Sequence, residues 1–358
     1  MKSFLSVKDL SKEGIHFILD LAKEVSNNPM ANILDGKIVG SLFFEPSTRT
    51  RLSFTSAAYR LGAKVLGFDS PSASSTSKGE SLRDTIKMVE SYADTIVMRH
   101  YIEGAAKFAN EISNVSIINA GDGANEHPTQ TLLDLFTIRE NFGTLENLKV
   151  AFVGDLKYGR TVHSLVKALS NFNCQFYFVA PDIIQIPNHI LDYINNKKIK
   201  FQLLNNYEEI LSQTDIMYMT RIQKERFENL DDYNKVSGIY KISKEKIIGK
   251  CKDTMIILHP LPRVDEINID LDDTKHALYF RQAANGVPTR AAIFLLAMGI
   301  RDLPVYDEST QNTVTSHEIS HCNNIMCVTN YESTQNKVIN TPYGDYCYYC
   351  GKACKVTI

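Results

Sequence analysis

Apolar positions along this chain switch repeatedly between the spacing of a helix face and the short continuous runs of buried strands. Ile15, Ile18, Leu21, Ala22 and Val25 recur at helical spacing and predict a helix over residues 11 to about 27. Residues 38–44 form an apolar strand that breaks at Pro46 and gives way to a second helical pattern, Leu52, Ala57, Ala58 and Leu61. Short strands follow at 65–68, 95–98 and 115–119. A helix is predicted over 79–92, and a longer one opens at His127 and runs to about residue 141. The alternation resumes with a strand at 148–153, a helix from 161 to about 171, and strands at 176–180, 200–204, 215–219 and 255–258. It closes on an apolar helix, 288–298. Strands that alternate with helices predict parallel sheets. The expected fold class is therefore α/β, with two parallel-sheet domains joined near residues 130–150 and no internal repeat.

The densest polar chemistry sits where the first strand turns into its helix. Ser47, Thr48, Arg49, Thr50 and Arg51 follow one another there. A strand leading straight into a helix points free backbone amides and the positive end of the helix dipole at one spot. Three hydroxyls and two fork-shaped guanidinium groups add donors, a combination suited to a phosphate. A capped helix with two solvated arginines is the plainer reading, and the interleaving of arginines with hydroxyls favours the anion site. Other polar groups fall at strand ends, where open α/β sheets gather ligands. Arg99 closes one strand, Arg160 opens the helix after another, and Thr220, Arg221 and Gln223 end a third. His127 and Gln130 lie three apart on one helical turn, with Pro128 well placed between them. The turn His259-Pro260-Leu261-Pro262-Arg263 is stiffened by its prolines and presents backbone carbonyls outward. Residues 69–79 make a Ser- and Gly-rich loop ending near Lys78, as consistent with a linker as with an active-site flap.

Composition narrows the class. The chain has 358 residues, 44% hydrophobic and 22% charged, which suits two to three ordinary globular domains. A net charge of −2 argues against a general nucleic-acid binder. No apolar run reaches membrane-crossing length, and the N-terminus lacks a signal-peptide core, so a cytoplasmic protein with no membrane partner is expected. Seven cysteines are unevenly spread. Cys174 and Cys251 stand alone, whereas Cys322, Cys327, Cys347, Cys350 and Cys354 crowd a tail rich in Ser, Thr, Asn and Gln. In a reducing compartment two cysteine pairs read first as a metal site. Four thiolates, Cys322, Cys327, Cys347 and Cys350, would close a tetrahedral structural Zn²⁺ site with no open position. Cys354 is then a spare thiol, and His317 and His321 are weaker ligand candidates.

Four motifs in order, Phe44-Glu45-Pro46-Ser47-Thr48-Arg49-Thr50-Arg51, Val97-Met98-Arg99-His100, His127-Pro128-Thr129-Gln130 and His259-Pro260-Leu261-Pro262-Arg263, resemble the transcarbamoylase family over about residues 1–305. Pro260 stands where the ornithine branch carries cysteine, and Gly159-Arg160-Thr161 and Thr220-Arg221 also resemble the aspartate branch. That resemblance implies transfer of the carbamoyl group of carbamoyl phosphate to the amine of L-aspartate, giving N-carbamoyl-L-aspartate and phosphate in pyrimidine biosynthesis. It implies that Ser47, Thr48, Arg49 and Thr50 hold the phosphate. Arg99, His127 and Thr50 would surround the carbonyl oxygen, and Gln130 with the carbonyls of Leu261 and Pro262 would hold the amino group. Arg160, Arg221 and Gln223 would grip the aspartate carboxylates. Lys78, with Ser74, would enter a neighbouring subunit's site, so a homotrimer with shared sites is expected. No organic cofactor is implied. The domains expected are 1–135, completed by a returning helix at 288–305, for carbamoyl phosphate; 136–287 for aspartate; and 306–358 for zinc. The tail resembles the zinc domain of the regulatory chain that accompanies such enzymes, here fused and without a nucleotide-binding domain. A clamp between subunits, giving a higher assembly, is its expected role. The rival readings are a ligand-binding protein whose zinc ribbon contacts nucleic acid, and a transcarbamoylase for another amine.

Overall fold

The structure, a computed structural model, describes residues 3–70, 72, 75–222, 227, 229–304, 314–316, 322–335, 337–341 and 344–354. The chain divides into two compact units, Met1–Thr129 with Gly286–Ile358, and Gln130–Asn285. In the first unit four parallel strands, β1 (Ile38–Phe43), β2 (Lys64–Phe68), β3 (Thr95–His100) and β4 (Ser116–Asp122), stand in the order β2-β1-β3-β4. The helices around them are α1 (Lys12–Asn27), α2 (Thr48–Arg60), α3 (Leu82–Val89) and α4 (Ala105–Ile112). The apolar helix Gly286–Ala297 returns to pack on α1 and α2, burying Ile293, Phe294 and Leu295. Helix α5 (Pro128–Phe142) leads from this unit into the next.

The second unit repeats the plan. Strands β5 (Lys149–Val153), β6 (Gln175–Val179), β7 (Phe201–Leu204), β8 (Ile216–Met219) and β9 (Ile256–Leu258) run parallel in the order β7-β6-β5-β8-β9. β5, β8 and β9 are buried along most or all of their length, as expected of strands covered on both faces. Helix α6 (Arg160–Leu169) follows β5. The expected α/β class with two parallel sheets is what the chain adopts. Among the described residues no helix is long and apolar enough to cross a membrane.

Three departures from the sequence reading have local causes. Helix α3 starts at Leu82, later than position 79, because Ser81 caps it: its Oγ accepts the Asp84 amide at 3.1 Å. Strands β3 and β4 run on to His100 and Asp122. Between Met98 and His100 their register slips by one residue, so Ala120 and Gly121 of β4 face Arg99 alone. Helix α4 was not anticipated, since its buried positions are mostly alanines, Ala105, Ala106 and Ala109, beside one Phe108.

The tail packs on that unanticipated helix. Strands β10 (Val314–Ser316), β11 (Lys337–Thr341) and β12 (Gly344–Cys347) pair antiparallel. Cys322, Cys327, Val328, Cys347, Tyr349 and Cys350 share one apolar core with Phe108, Ala105 and Ile102 of the first unit. Polar bonds frame this contact. The Glu103 carboxylate, 3% exposed, takes Lys352 Nζ at 3.0 Å and Asn324 Nδ2 at 2.9 Å. Glu111 takes the Tyr349 hydroxyl at 2.7 Å and Lys337 Nζ at 2.6 Å. The lysines are partly exposed, so solvent screens these ion pairs, and their main effect is to fix the tail's position over Glu103 and Glu111. Gly104, at φ +83°, lets the two surfaces meet: a Cβ there would lie 2.7 Å from Tyr349 Cβ and 2.8 Å from its carbonyl carbon. Gly104→Ala combines that clash with a left-handed backbone worth about 1–3 kcal/mol. It is expected to lower the melting temperature and to speed proteolysis within 322–354, read by calorimetry and limited digestion.

Candidate active site and metal centre

In the first unit the chain passes from β1 outward to β2 and then back to β3 on the other side of β1. Connections diverge at such a point and leave a crevice at the carboxyl ends of the strands. Phe43 pairs with Arg99 in register, and the Phe44 amide donates to the Arg99 carbonyl at 2.8 Å. The first strand's exit loop and Arg99 are thus neighbours by backbone pairing alone. After Pro46 the chain enters α2 with Ser47 as N-cap in an extended conformation, and the Ser47 side chain makes no capping hydrogen bond. The helix leaves the first amides, Thr48 to Thr50, without intrahelical acceptors. Thr50 is buried, and burial pulls the Arg49 guanidinium below its ordinary value, a cost that a bound anion would offset.

Arg99 is aimed by the irregularity of β4. Its Nη1 donates to the Ala120 carbonyl at 3.2 Å, and its Nη2 lies 3.2 Å from the Glu45 carboxylate. A Cβ on Gly121, at φ +120°, would come within 2.9 Å of Arg99 Nη1 and 3.6 Å of His127 Cδ2. The glycine therefore makes room for the guanidinium, and Arg99 and His127 converge over it. Bulges beside active sites re-aim side chains in this way. Asp122 holds the strand end: its carboxylate accepts from the Gly104 amide at 2.8 Å and Asn125 Nδ2 at 2.9 Å. Burial still pushes its acid up to about 6. Lys78 ends a short 3-10 turn, Ser75–Lys78, and is exposed. Ser74 lies outside the described residues, as does Gln223.

In the second unit Gln130 stands on the first turn of α5. Its Nε2 donates to Asp134 Oδ1 at 2.9 Å, and the same buried carboxylate takes Gln282 Nε2 at 2.6 Å and the Tyr218 hydroxyl at 3.0 Å. With its Nε2 donating to Asp134, the Gln130 amide keeps its Oε1 as an acceptor for an N–H donor. Arg160 opens α6 after β5, and Arg221 follows β8, the strand beside β5. The switch in strand order falls between these two strands. Gly154, at φ +117°, lets the loops meet: a Cβ there would be 2.4 Å from the Thr220 carbonyl oxygen. Beyond β9, His259 Nε2 donates to Glu266 at 2.7 Å and its Nδ1 accepts the Leu261 amide at 2.7 Å. These bonds hold the turn containing the cis Leu261–Pro262 peptide. Burial opposes ionisation of Glu266, but His259 and the backbone amides of Glu266 itself and Val264 outweigh it and hold the carboxyl below its usual range. Arg263 is occupied structurally, by Asp272 and by the rings of Tyr279 and Phe280.

The sulfurs of Cys322, Cys327, Cys347 and Cys350 all lie within 4.8 Å of one another, and all four residues are buried. Cys322 and Cys350 are 3.8 Å apart, and Cys327 and Cys347 3.7 Å. Four thiolates at Zn–S bonds of about 2.3 Å around a tetrahedron stand about 3.8 Å apart, so the donor set fits Zn²⁺. A disulfide, at about 2.05 Å, does not match these spacings. Cys354 lies beside this core, its amide bonded to the Asp345 carbonyl. His317 and His321 lie outside the described residues.

Residues 2–140 match the model of the aspartate/ornithine carbamoyltransferase carbamoyl-P binding domain, and residues 146–297 that of the Asp/Orn binding domain. The chain belongs to this carbamoyltransferase family. A relative from Brachyspira hyodysenteriae, described as an aspartate carbamoyltransferase catalytic subunit, is 60% identical over 355 residues, 98% of this chain and 99% of its own. That match runs into the cysteine-bearing tail. A catalytic subunit from Thermococcus kodakarensis is 48% identical over 84% of this chain and 97% of its own. Among solved carbamoyltransferases, the catalytic subunit of the M. jannaschii aspartate transcarbamoylase superposes with a TM-score of 0.78 at 50% identity, covering 84% of this chain and 99% of that one. The Trypanosoma cruzi aspartate transcarbamoylase in complex with carbamoyl phosphate and aspartate gives 0.77 at 38% identity, over 82% and 95%.

Sequence reasoning missed Glu45, Glu103, Asp134 and Glu111 in this carbamoyltransferase. Each is an acidic residue whose role is to accept from a basic or amide group far away in the sequence. Local spacing marks only Asp134, four residues after Gln130 on one helix. The metal centre yields a direct expectation: the purified protein carries one zinc per chain by elemental analysis. Cys327→Ser lowers that content and raises protease sensitivity of the tail, whereas Cys354→Ser leaves both unchanged.

Proposed function

We infer that this chain is an aspartate carbamoyltransferase, transferring the carbamoyl group of carbamoyl phosphate to the amine of L-aspartate with release of phosphate. The observation that carries the reading is the α2 anion cradle set, by strand pairing, beside Arg99 and His127. A phosphate at the α2 N-terminus would meet the amides of Thr48 to Thr50, the Ser47 hydroxyl and Arg49. Its carbamoyl oxygen would face Arg99, His127 and Thr50. Attack by the aspartate amine forms the C–N bond and drives electrons onto that oxygen, and these donors stabilise the oxyanion. Collapse breaks the C–O bond to phosphate, which leaves with Arg49 and the helix end neutralising it. The amine proton passes to the departing phosphate or to Lys78. Gln130, its Nε2 spent on Asp134, offers Oε1 to the carbamoyl amino group, alongside the carbonyls of Leu261 and Pro262. No covalent nucleophile is required, so positioning supplies much of the rate.

Arg160 and Arg221, at the ends of neighbouring strands, supply one cation for each aspartate carboxylate, with Gln223 assisting. Ornithine would leave one arginine unpaired, which favours the aspartate reading over another amine. Substrate must also displace Glu45 from Arg99. Lys78 is exposed on its own unit and is assigned to the site of a neighbouring copy, in a homotrimer with shared sites. Zn²⁺ in the four-cysteine site has no open position and is structural. The tail is proposed to brace the assembly as well as its own chain.

Phosphate release from carbamoyl phosphate, measured with L-aspartate, with L-ornithine and with neither, tests the reading. Aspartate-dependent release is expected, and release driven by ornithine or by no amine overturns it. Arg49→Ala is expected to cut kcat/KM by roughly a hundredfold or more, the scale of losing a charge-stabilising donor, with unchanged folding by circular dichroism.

A further inference from the structure

One short turn of the tail bonds to the α/β body of the first unit on both of its sides. Cys327 is followed by the 3-10 turn Val328–Asn330, and the Glu332 amide closes this turn on the Val328 carbonyl at 2.9 Å. On one side the Val328 amide donates to the Glu103 carbonyl at 2.9 Å, four residues beyond Arg99. On the other, the Glu332 carboxylate accepts the amide of Leu82 at 2.8 Å. Leu82 is the first residue of α3, so its amide has no acceptor within the helix and faces outward at the positive end of the dipole. Lys78 lies four residues earlier, joined through Gly79, which takes a φ of +91° that favours glycine. The Ser81 cap ties the helix to itself alone. Among the described residues, Glu332 is the tail group that ties the base of the Lys78 turn to the metal-bearing knuckle.

We propose that Glu332 is a positioning residue for Lys78. By accepting the Leu82 amide it anchors the start of α3, so that the turn carrying Lys78 is presented from a fixed base rather than from a frayed helix end. The four-cysteine site, through Cys327 and the turn after it, sets where that carboxylate stands. The proposal rests on the assignment of Lys78 to catalysis made above. It gives the fused tail a task within its own chain, distinct from bridging copies.

The test uses the full-length zinc-loaded protein. Glu332→Ala removes the acceptor, whereas Glu332→Gln keeps an oxygen at the same position. In Glu332→Ala, amide hydrogen exchange over residues 78–85 is expected to accelerate and kcat to fall roughly tenfold to a hundredfold, the scale of a misplaced group. Zinc content, native size and exchange in β1 and β3 stay as in the parent, and Glu332→Gln recovers most of the loss. Parental exchange over 78–85, or a fall in kcat that tracks loss of zinc or of native size, overturns the proposal. Lys78→Ala separates the two layers. Full turnover in Lys78→Ala means the assignment of Lys78 fails, and with it the catalytic part of the proposal. A crippled Lys78→Ala beside a normal Glu332→Ala means the brace alone fails.

Discussion

The parallel pairing of β1 with β3 is the constraint on which the rest depends. Register from Val39 opposite Thr95 to Phe43 opposite Arg99 brings two distant stretches to one edge of the sheet. One stretch turns into α2 with its amides unspent, and the other ends in a guanidinium. Because β2 and β3 leave β1 on opposite sides, nothing in the sheet covers the space between them. The second unit repeats this arrangement at β5 and β8, with Arg160 and Arg221 on the two exits. Each sheet thus gathers basic side chains at its own switch point.

Around these crevices buried acids do the positioning. Asp134 orients Gln130, Glu266 orients His259, Asp122 fixes the end of β4, and Glu103 receives the tail. Each carboxylate is buried and satisfied by several donors, the condition under which a buried charge specifies geometry instead of merely costing desolvation. Glu45 differs. It is partly exposed and pairs with the buried Arg99, a contact that an incoming anion can replace. The zinc site belongs to the same logic, with four buried thiolates that need a cation to share the space.

Much of this was legible in the sequence because it is local. The strand-to-helix turn at Ser47, the hydrophobic runs and the two cysteine pairs each carry their signal within a few residues. The four cysteines predicted as ligands do converge, and Arg99 and His127 both approach Gly121. What could not be read was non-local. Helix α4 is only eight residues long, with small alanines and one phenylalanine on its buried face, so the surface that receives the tail went unread. The slip in β4 opposite Arg99 comes from two strands interacting, not from either alone. Glu103 and Glu111 look like ordinary surface acids until the tail is laid against them, and Glu332 of the tail until it meets the Leu82 amide. The tail was expected to act between chains, and its packing on its own unit emerged only from the fold.

The most direct test of the account is a crystal structure of the protein with carbamoyl phosphate and no amine. The phosphate should lie against the amides of Thr48 to Thr50, with the carbonyl oxygen toward Arg99 and His127, and Glu45 released from Arg99. A phosphate bound elsewhere, or an Arg99 still paired with Glu45 in the occupied site, would contradict it.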